Sequence, residues 1–197
     1  MSSDRELGWL HLTDLHTGGT GRLWPNVKSD FLDDLPEVHD RSGPRDVVVF
    51  TGDLVYSGEE AQFQEFDEIR EEVIERVRNL NQDVEPTFLA IPGNHDVRRV
   101  RERRPAFLDR VGLWHDDRDV RNAFWSDEND DLRRGLEQVL VEWDAWWTQE
   151  FRRSGLNLQC GKLPGDFALT LPVRDLTVGI VGLNSTFLQS SIGGKRS

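Results

Sequence analysis

The sequence predicts an α/β fold that begins as β-α-β-α-β around a parallel sheet. Three short apolar runs, at residues 9–13, 46–51 and 87–91, have the length and boundaries of buried strands. Two amphipathic helical patterns separate these runs. The continuous run Val47-Val48-Val49-Phe50 indicates a strand buried on both faces, as in a parallel sheet covered by helices. Because crossovers between parallel strands are right-handed, the three strands should end at one edge of the sheet.

The first helix is predicted to begin at Pro25, since proline suits the first turn of a helix. Pro36 is expected to end or kink this helix. Before it, the glycine-rich stretch 17–21 directly follows His16, so it is either a surface loop or a rim over a site. The apolar face of the helix is expected to comprise Val27, Phe31, Leu32 and Leu35.

The second helix has the most regular apolar pattern in the chain. Ser57 is followed three residues later by Glu60, the spacing of a capping box at a helix start. The glutamates and arginines between the apolar positions are expected to face solvent. The apolar positions at three- and four-residue steps are Phe63, Phe66, Ile69, Val73, Val77 and Leu80.

Residues from about 98 to 160 are predicted to form a helical insertion. Asp130 or Asp131 would begin one long helix that Gly155 ends. The cluster Trp143, Trp146 and Trp147 on this helix either packs the insertion onto the sheet or forms a hydrophobic wall for a nucleobase or a partner.

After the insertion, residues 167–171 and 177–183 read as two further strands of a second sheet. His115, a lone histidine in a polar loop before them, is not expected to hold a metal.

Composition limits the functions open to the chain. Its length of 197 residues suits one domain over residues 1–197. Its formal net charge is −12, and 30% of its residues are charged. The negative charge disfavours broad binding to nucleic acid or to an anionic membrane. Cys160 is the only cysteine, and no apolar run approaches the ~18 residues of a membrane span, so a cytoplasmic location is expected.

Polar side chains follow each of the three predicted parallel strands. Asp14 and His16 follow the first, Asp53 follows the second, and Asn94 and His95 follow the third. The expected shared edge would bring these groups together. An oxygen and imidazole set without a thiolate suits borderline-to-hard divalent metals rather than a structural zinc site.

Taken in order, these motifs resemble those of the calcineurin-like metallophosphoesterases. They are Asp14-x-His16, then Gly52-Asp53, then the tetrapeptide 93–96 (Gly-Asn-His-Asp), each placed after a predicted strand. The resemblance implies a metallophosphoesterase-like α/β sandwich. It also implies metal-dependent hydrolysis of a phosphomonoester or phosphodiester with two divalent ions, which could be manganese, iron, zinc or nickel.

The resemblance also implies a role for each metal-site residue. Asp53 would bridge both ions, Asp14 and His16 would hold the first, and Asn94 would hold the second. His95 would not ligate. It would protonate the leaving oxygen or steady the transition-state charge.

Two further predictions concern residues next to His95. By resemblance, Asp96 would orient the His95 ring. Arg98 and Arg99 open an arginine-rich stretch. Most of its arginines are expected to pair with the surplus carboxylates, and Arg98 and Arg99 are the ones expected to bind an anionic substrate.

The family pattern continues with another histidine and then Gly-His-x-His, whereas the last histidine here is His115. We therefore expect a sandwich that is incomplete at its C-terminus. The chain would be part of a longer protein, a truncated product, or one half of a site completed by a further domain or protein partner. The alternative function is a non-catalytic interaction domain that retains the fold. The expected ligand is a phosphate ester. Nucleic acid is expected only as a substrate, and no membrane partner is expected. A further domain or protein partner could complete the site.

Overall fold

The computed structural model describes residues 6–20, 23–98, 106–126 and 131–188. Three strands, β1 (Trp9–Leu12), β2 (Val47–Thr51) and β3 (Thr87–Ile91), form a parallel sheet in the order β1-β2-β3. Leu12 lies opposite Phe50, and Phe50 lies opposite Ala90. The carboxyl ends of the three strands therefore lie side by side, and the predicted parallel arrangement is confirmed.

The helix α1 (Trp24–Ser42) joins β1 to β2 and has Pro25 in its first turn, as predicted. It does not end at Pro36, so that part of the expectation is wrong. Proline removes the backbone N–H that would bond the carbonyl four residues earlier. Here that carbonyl, on Leu32, accepts a hydrogen bond from Arg76 Nε at 3.1 Å. A side chain from the next helix thus replaces the missing partner.

The helix α2 (Glu60–Leu80) joins β2 to β3 and buries the predicted positions Phe63, Phe66, Ile69, Val73 and Val77. The capping box is wrong, because the residue at the N-cap is Glu59 and it makes no side-chain cap. Ser57 instead donates its backbone N–H to Gln62 Oε1 at 2.9 Å. The side chain of a residue inside the helix therefore holds the loop before it.

Four helices follow β3 within the described residues: α3 (Ala106–Val111), α4 (Arg118–Trp125), α5 (Asp131–Val139) and α6 (Val141–Ser154). The single long helix predicted from Asp130 or Asp131 to Gly155 is wrong, since it breaks at Leu140. At the break, the Val139 carbonyl accepts a bond of 2.7 Å from the backbone N–H of Arg98. Gly155 ends α6 with φ +66°, which confirms that part of the prediction.

The tryptophans of α6 pack this helix against α2 and the sheet. Trp143, Trp146 and Trp147 are each at most 8% exposed. The Trp146 ring lies within 5.5 Å of the rings of Phe63 and Phe66, and its Nε1 donates to Asp67 Oδ1 at 2.8 Å. The packing interpretation accounts for these contacts, whereas an exposed wall for a ligand does not.

The strands β4 (Gln159–Cys160), β5 (Phe167–Val173) and β6 (Leu176–Gly182) form a second, antiparallel sheet, followed by a 3₁₀ turn at Thr186–Leu188. The predicted strand pair is confirmed, and the fold is a mixed α/β fold of the expected kind. Gly182 lies against the Ile91 side chain at the end of β3. The single domain over 1–197 and the insertion limits stay predictions. Along the described residues, no helix is long and apolar enough to cross a membrane.

Candidate metal centre

The loops after β1 and β2 run side by side beyond the ends of their strands. The backbone N–H groups of Asp14 and His16 donate to the carbonyls of Gly52 and Asp53, at 3.2 and 2.9 Å. The next N–H, on Thr17, donates to the Leu54 carbonyl at 3.0 Å. These bonds fix the position of the two loops relative to each other, so the acidic and imidazole side chains converge.

Three of the predicted site residues have a left-handed backbone. The φ angles of Asp14, His16 and Asp53 are +59°, +49° and +52°. A positive φ is uncommon for residues other than glycine, and such conformations cluster at functional sites. The backbone therefore holds these side chains in positions that an ordinary strand end would not give.

The loop after β3 approaches the loop after β2 without a side chain between them. An ideal Cβ on Gly93 would lie 2.1 Å from the backbone N of Asp53 and 2.2 Å from its Oδ1. Since only glycine permits this approach, the backbone N–H of His95 can donate to Asp53 Oδ1 at 2.9 Å.

The converging side chains could hold a metal ion. His16 Nε2 lies 3.9 Å from Asp14 Oδ1 and 3.9 Å from Asp53 Oδ2. Ligand atoms of His16, Asp53 and His95 all lie within 4.8 Å of one another. Carboxylate and imidazole groups at these separations fit a divalent cation, which would draw them closer.

The other predicted site residues are placed as follows. Asn94 is exposed in the loop that carries His95. Arg98 forms an ion pair of 3.1 Å with Glu142, and its predicted binding of substrate stays a prediction. Arg99 lies outside the described residues. Within the part of the chain that the structure describes, His115 belongs to no group of potential metal ligands.

The motifs on these loops match a known family. The model of the family described as calcineurin-like phosphoesterase matches residues 9–166. The chain belongs to the calcineurin-like phosphoesterase family. Membership implies metal-dependent hydrolysis of phosphoesters, and it agrees with the His-Asp-His group in the structure. No curated protein matches the chain.

In this calcineurin-like phosphoesterase, a backbone carbonyl sets the tautomer of His95. His95 Nδ1 lies 2.9 Å from the carbonyl oxygen of Tyr56. A carbonyl can only accept, so Nδ1 carries a proton and Nε2 is the ring nitrogen left to act at the metal group. Tyr56 was missed in the sequence because a backbone carbonyl leaves no residue-type signal. Gly19 lies against the Tyr56 ring, which supports the rim interpretation for the described part of 17–21.

Asp96 bonds backbone groups on both loops instead of the His95 ring. It is 1% exposed and accepts from Val55 N at 2.9 Å and from Gly93 N at 2.7 Å. Asp96 therefore makes no direct bond to the His95 ring. Any effect of Asp96 on the orientation of that ring would be indirect, through its bond to Val55, because the next residue, Tyr56, supplies the carbonyl that bonds His95. Burial raises the pKa of Asp96 to about 7, while the backbone N–H groups oppose the rise.

We expect Asp96→Asn to lower the free energy of unfolding at pH 5.5 by about 1–3 kcal/mol, because a protonated carboxyl still offers two oxygens to the two buried N–H groups, whereas an amide offers one. The raised pKa of Asp96 means that its carboxyl binds a proton more tightly in the folded protein than in the unfolded chain. The stability gained from this proton is full below the pKa of the unfolded chain and is lost as the pH rises through about 7. The difference between wild type and variant should therefore shrink from pH 5.5 to pH 8, measured by urea unfolding with EDTA present. A difference that does not change with pH would contradict the raised pKa.

Proposed function

We propose that the protein is a phosphoester hydrolase with a dinuclear metal site at the carboxyl ends of β1, β2 and β3. The observation that supports this most directly is the convergence of His16, Asp53 and His95, with ligand atoms within 4.8 Å, on strand-end loops of a family member. Substrates would be phosphomonoesters or phosphodiesters.

In this proposal, Asp53 would hold both ions. Its Oδ1 accepts from the backbone of His95, and its Oδ2 faces His16. Asp14 and His16 would be the further ligands of the first ion, and Asn94 would be a further ligand of the second. The Asp53 side chain is only 14% exposed, so its charge is poorly screened by water and favours a cation. When bound, two divalent cations screen the phosphate oxygens and lower the pKa of the attacking water.

The proposed role of His95 is to supply a proton. Because the Nδ1–H stays on the Tyr56 carbonyl, the ring would act in its doubly protonated form and give its Nε2 proton to the leaving oxygen. The bond to a fixed carbonyl holds the ring plane in place before the substrate arrives, which is what positions a general acid. The structure also permits His95 to ligate, since it belongs to the cluster of potential ligands. Metal stoichiometry separates the two roles.

The test is calorimetric titration of the metal-free chain with Mn²⁺. We expect two ions per chain, both retained in His95→Gln. His16→Gln should lower the affinity for one ion by about 100-fold or more, since even the loss of a residue that only supports a ligand lowers metal affinity by about 10–100-fold. His115→Gln is the matched control, because His115 is exposed and outside the ligand group.

Three outcomes would revise the proposal. Loss of an ion in His95→Gln would make His95 a ligand instead of an acid. A single ion in the wild type would contradict the dinuclear site. Failure to bind any ion would favour the interaction domain that retains the fold without catalysis.

A further inference from the structure

A pocket of about 220 Å³ lies beside His16, between the loop after β1 and helices α1 and α2. Its walls include Leu15, Trp24 and Ile69, each at most 9% exposed. His16 itself lines the pocket, so this space adjoins the metal group. The mechanism proposed above leaves the pocket unused.

Three residues that line the pocket carry buried polar atoms without a hydrogen-bond partner. These atoms are Trp24 Nε1, Thr17 Oγ1 and His16 Nδ1. Trp24 is 8% exposed and Thr17 is 5% exposed. Buried polar groups in native proteins are almost always paired, so unpaired ones beside a cavity indicate a missing partner. The indole N–H can only donate, so its partner must be an acceptor.

The charges around the pocket disfavour an anionic occupant. The described residues that line it include three carboxylates, on Glu65, Glu68 and Glu72, and one ammonium, on Lys28. Lys28 forms an ion pair with Glu72, so its charge is already balanced. A second phosphate or a carboxylate placed here would meet like charge at close range, which is unfavourable.

We propose that this pocket binds the organic group of the phosphate ester, and that this group is an uncharged aromatic or heterocyclic ring with a hydrogen-bond acceptor. The proposal rests on the proposed function, since a substrate reaches the pocket only when its phosphorus lies at the metal centre. The apolar walls suit the faces of the ring. The acceptor pairs with an unpaired donor such as the Trp24 indole N–H, and the volume suits a fragment-sized group.

The first test needs no metal and no catalysis. The indole N–H resonance of Trp24 is assigned from its loss in Trp24→Phe. Benzamide and benzoate are then titrated into the metal-free protein, because they share size and ring but differ in charge. We expect a downfield shift of the Trp24 resonance with benzamide and none with benzoate. Equal shifts with both, or no shift with either, would overturn the proposal.

The second test uses hydrolysis. The substrates are two phosphodiesters that share a p-nitrophenyl group. The second ester group is 3-carbamoylbenzyl in one and 3-carboxybenzyl in the other, so the two differ in charge. We expect kcat/KM to favour the carbamoyl ester by about 10-fold or more, since a site built around hydrogen-bond groups discriminates strongly. Trp24→Phe should reduce this ratio. Glu68→Lys, an exchange at an exposed position, should reduce it as well. Trp9→Phe, at a residue 66% exposed and outside the pocket lining, should leave it unchanged.

The two tests separate the pocket from the reaction. If neither ester is hydrolysed but benzamide shifts the Trp24 resonance, the proposed function fails, whereas the preference of the pocket for an uncharged ring stands. If both esters are hydrolysed at the same rate, the function stands and the ring preference is wrong. Should Trp24→Phe fail to fold, the ratio in Glu68→Lys alone decides, and an unchanged ratio there overturns the proposal.

Discussion

Asp53→Asn should lower kcat/KM for bis(p-nitrophenyl) phosphate by about 1000-fold or more, which corresponds to about 4 kcal/mol of transition-state stabilisation. The substitution removes the negative charge that lies between His16 and the backbone of His95. An asparagine would still offer one oxygen to the His95 N–H. Its amide would face His16 Nε2, where the proposed cation needs an anionic ligand, so affinity for metal should fall together with activity.

The backbone makes this variant a clean test. Asp53 has φ +52°, a conformation that asparagine tolerates well, so the loop should keep its shape. Asp83→Asn is a matched control, because Asp83 also has a positive φ, of +68°, and lies exposed in the loop between α2 and β3, before the third strand begins. We expect the control to hydrolyse at the wild-type rate and both proteins to unfold at similar urea concentrations. Equal rates for Asp53→Asn and wild type would rule out the proposed mechanism.

The sheet and its reactive edge could be predicted because both depend on local pattern. The apolar run from Val47 to Phe50 and the polar residues after it are adjacent in sequence, and parallel strands necessarily end at one edge. The placement of Asp14, Asp53 and His95 follows from that rule. What sequence reasoning cannot supply is the closeness of their side chains, which depends on positive φ angles and on the contact at Gly93.

Two of the errors share a different cause, which is a long-range partner. The helix continues through Pro36 because Arg76, on another helix, bonds the freed carbonyl of Leu32. The predicted long helix breaks at Leu140, where the backbone of Arg98 bonds the Val139 carbonyl. Propensity and periodicity describe neighbours along a helix, so neither contact could be read from them.

Gly93→Ala should reduce activity more than the addition of one methyl group suggests. The added Cβ would lie 2.1 Å from the Asp53 backbone N, 2.2 Å from Asp53 Oδ1 and 2.8 Å from the carbonyl carbon of Gly52. Two of these atoms are backbone, and the third belongs to the proposed bridging ligand, so no flexible side chain can move aside. The loops after β2 and β3 must separate, which would break the bond between Asp53 Oδ1 and His95 N.

We expect this separation to lower the free energy of unfolding by about 1–3 kcal/mol, as overpacking does. Activity should fall by about 100-fold, because misplacing reacting groups by roughly 1 Å costs that much. Urea unfolding measures the first effect. Rates on bis(p-nitrophenyl) phosphate, recorded well below the unfolding transition, measure the second, and Mn²⁺ titration shows whether the ligand group survives.

Gly179→Ala is the control for the glycine exchange itself. Gly179 lies in β6, its added Cβ would meet no atom within 4 Å, and its φ is not positive. Hydrolysis and metal binding should be unchanged in the control, because the substitution adds a methyl group to open space. A Gly93→Ala protein with wild-type activity would mean that the two loops can separate freely. The tight contact between the loops after β2 and β3 would then have no part in positioning Asp53 and His95.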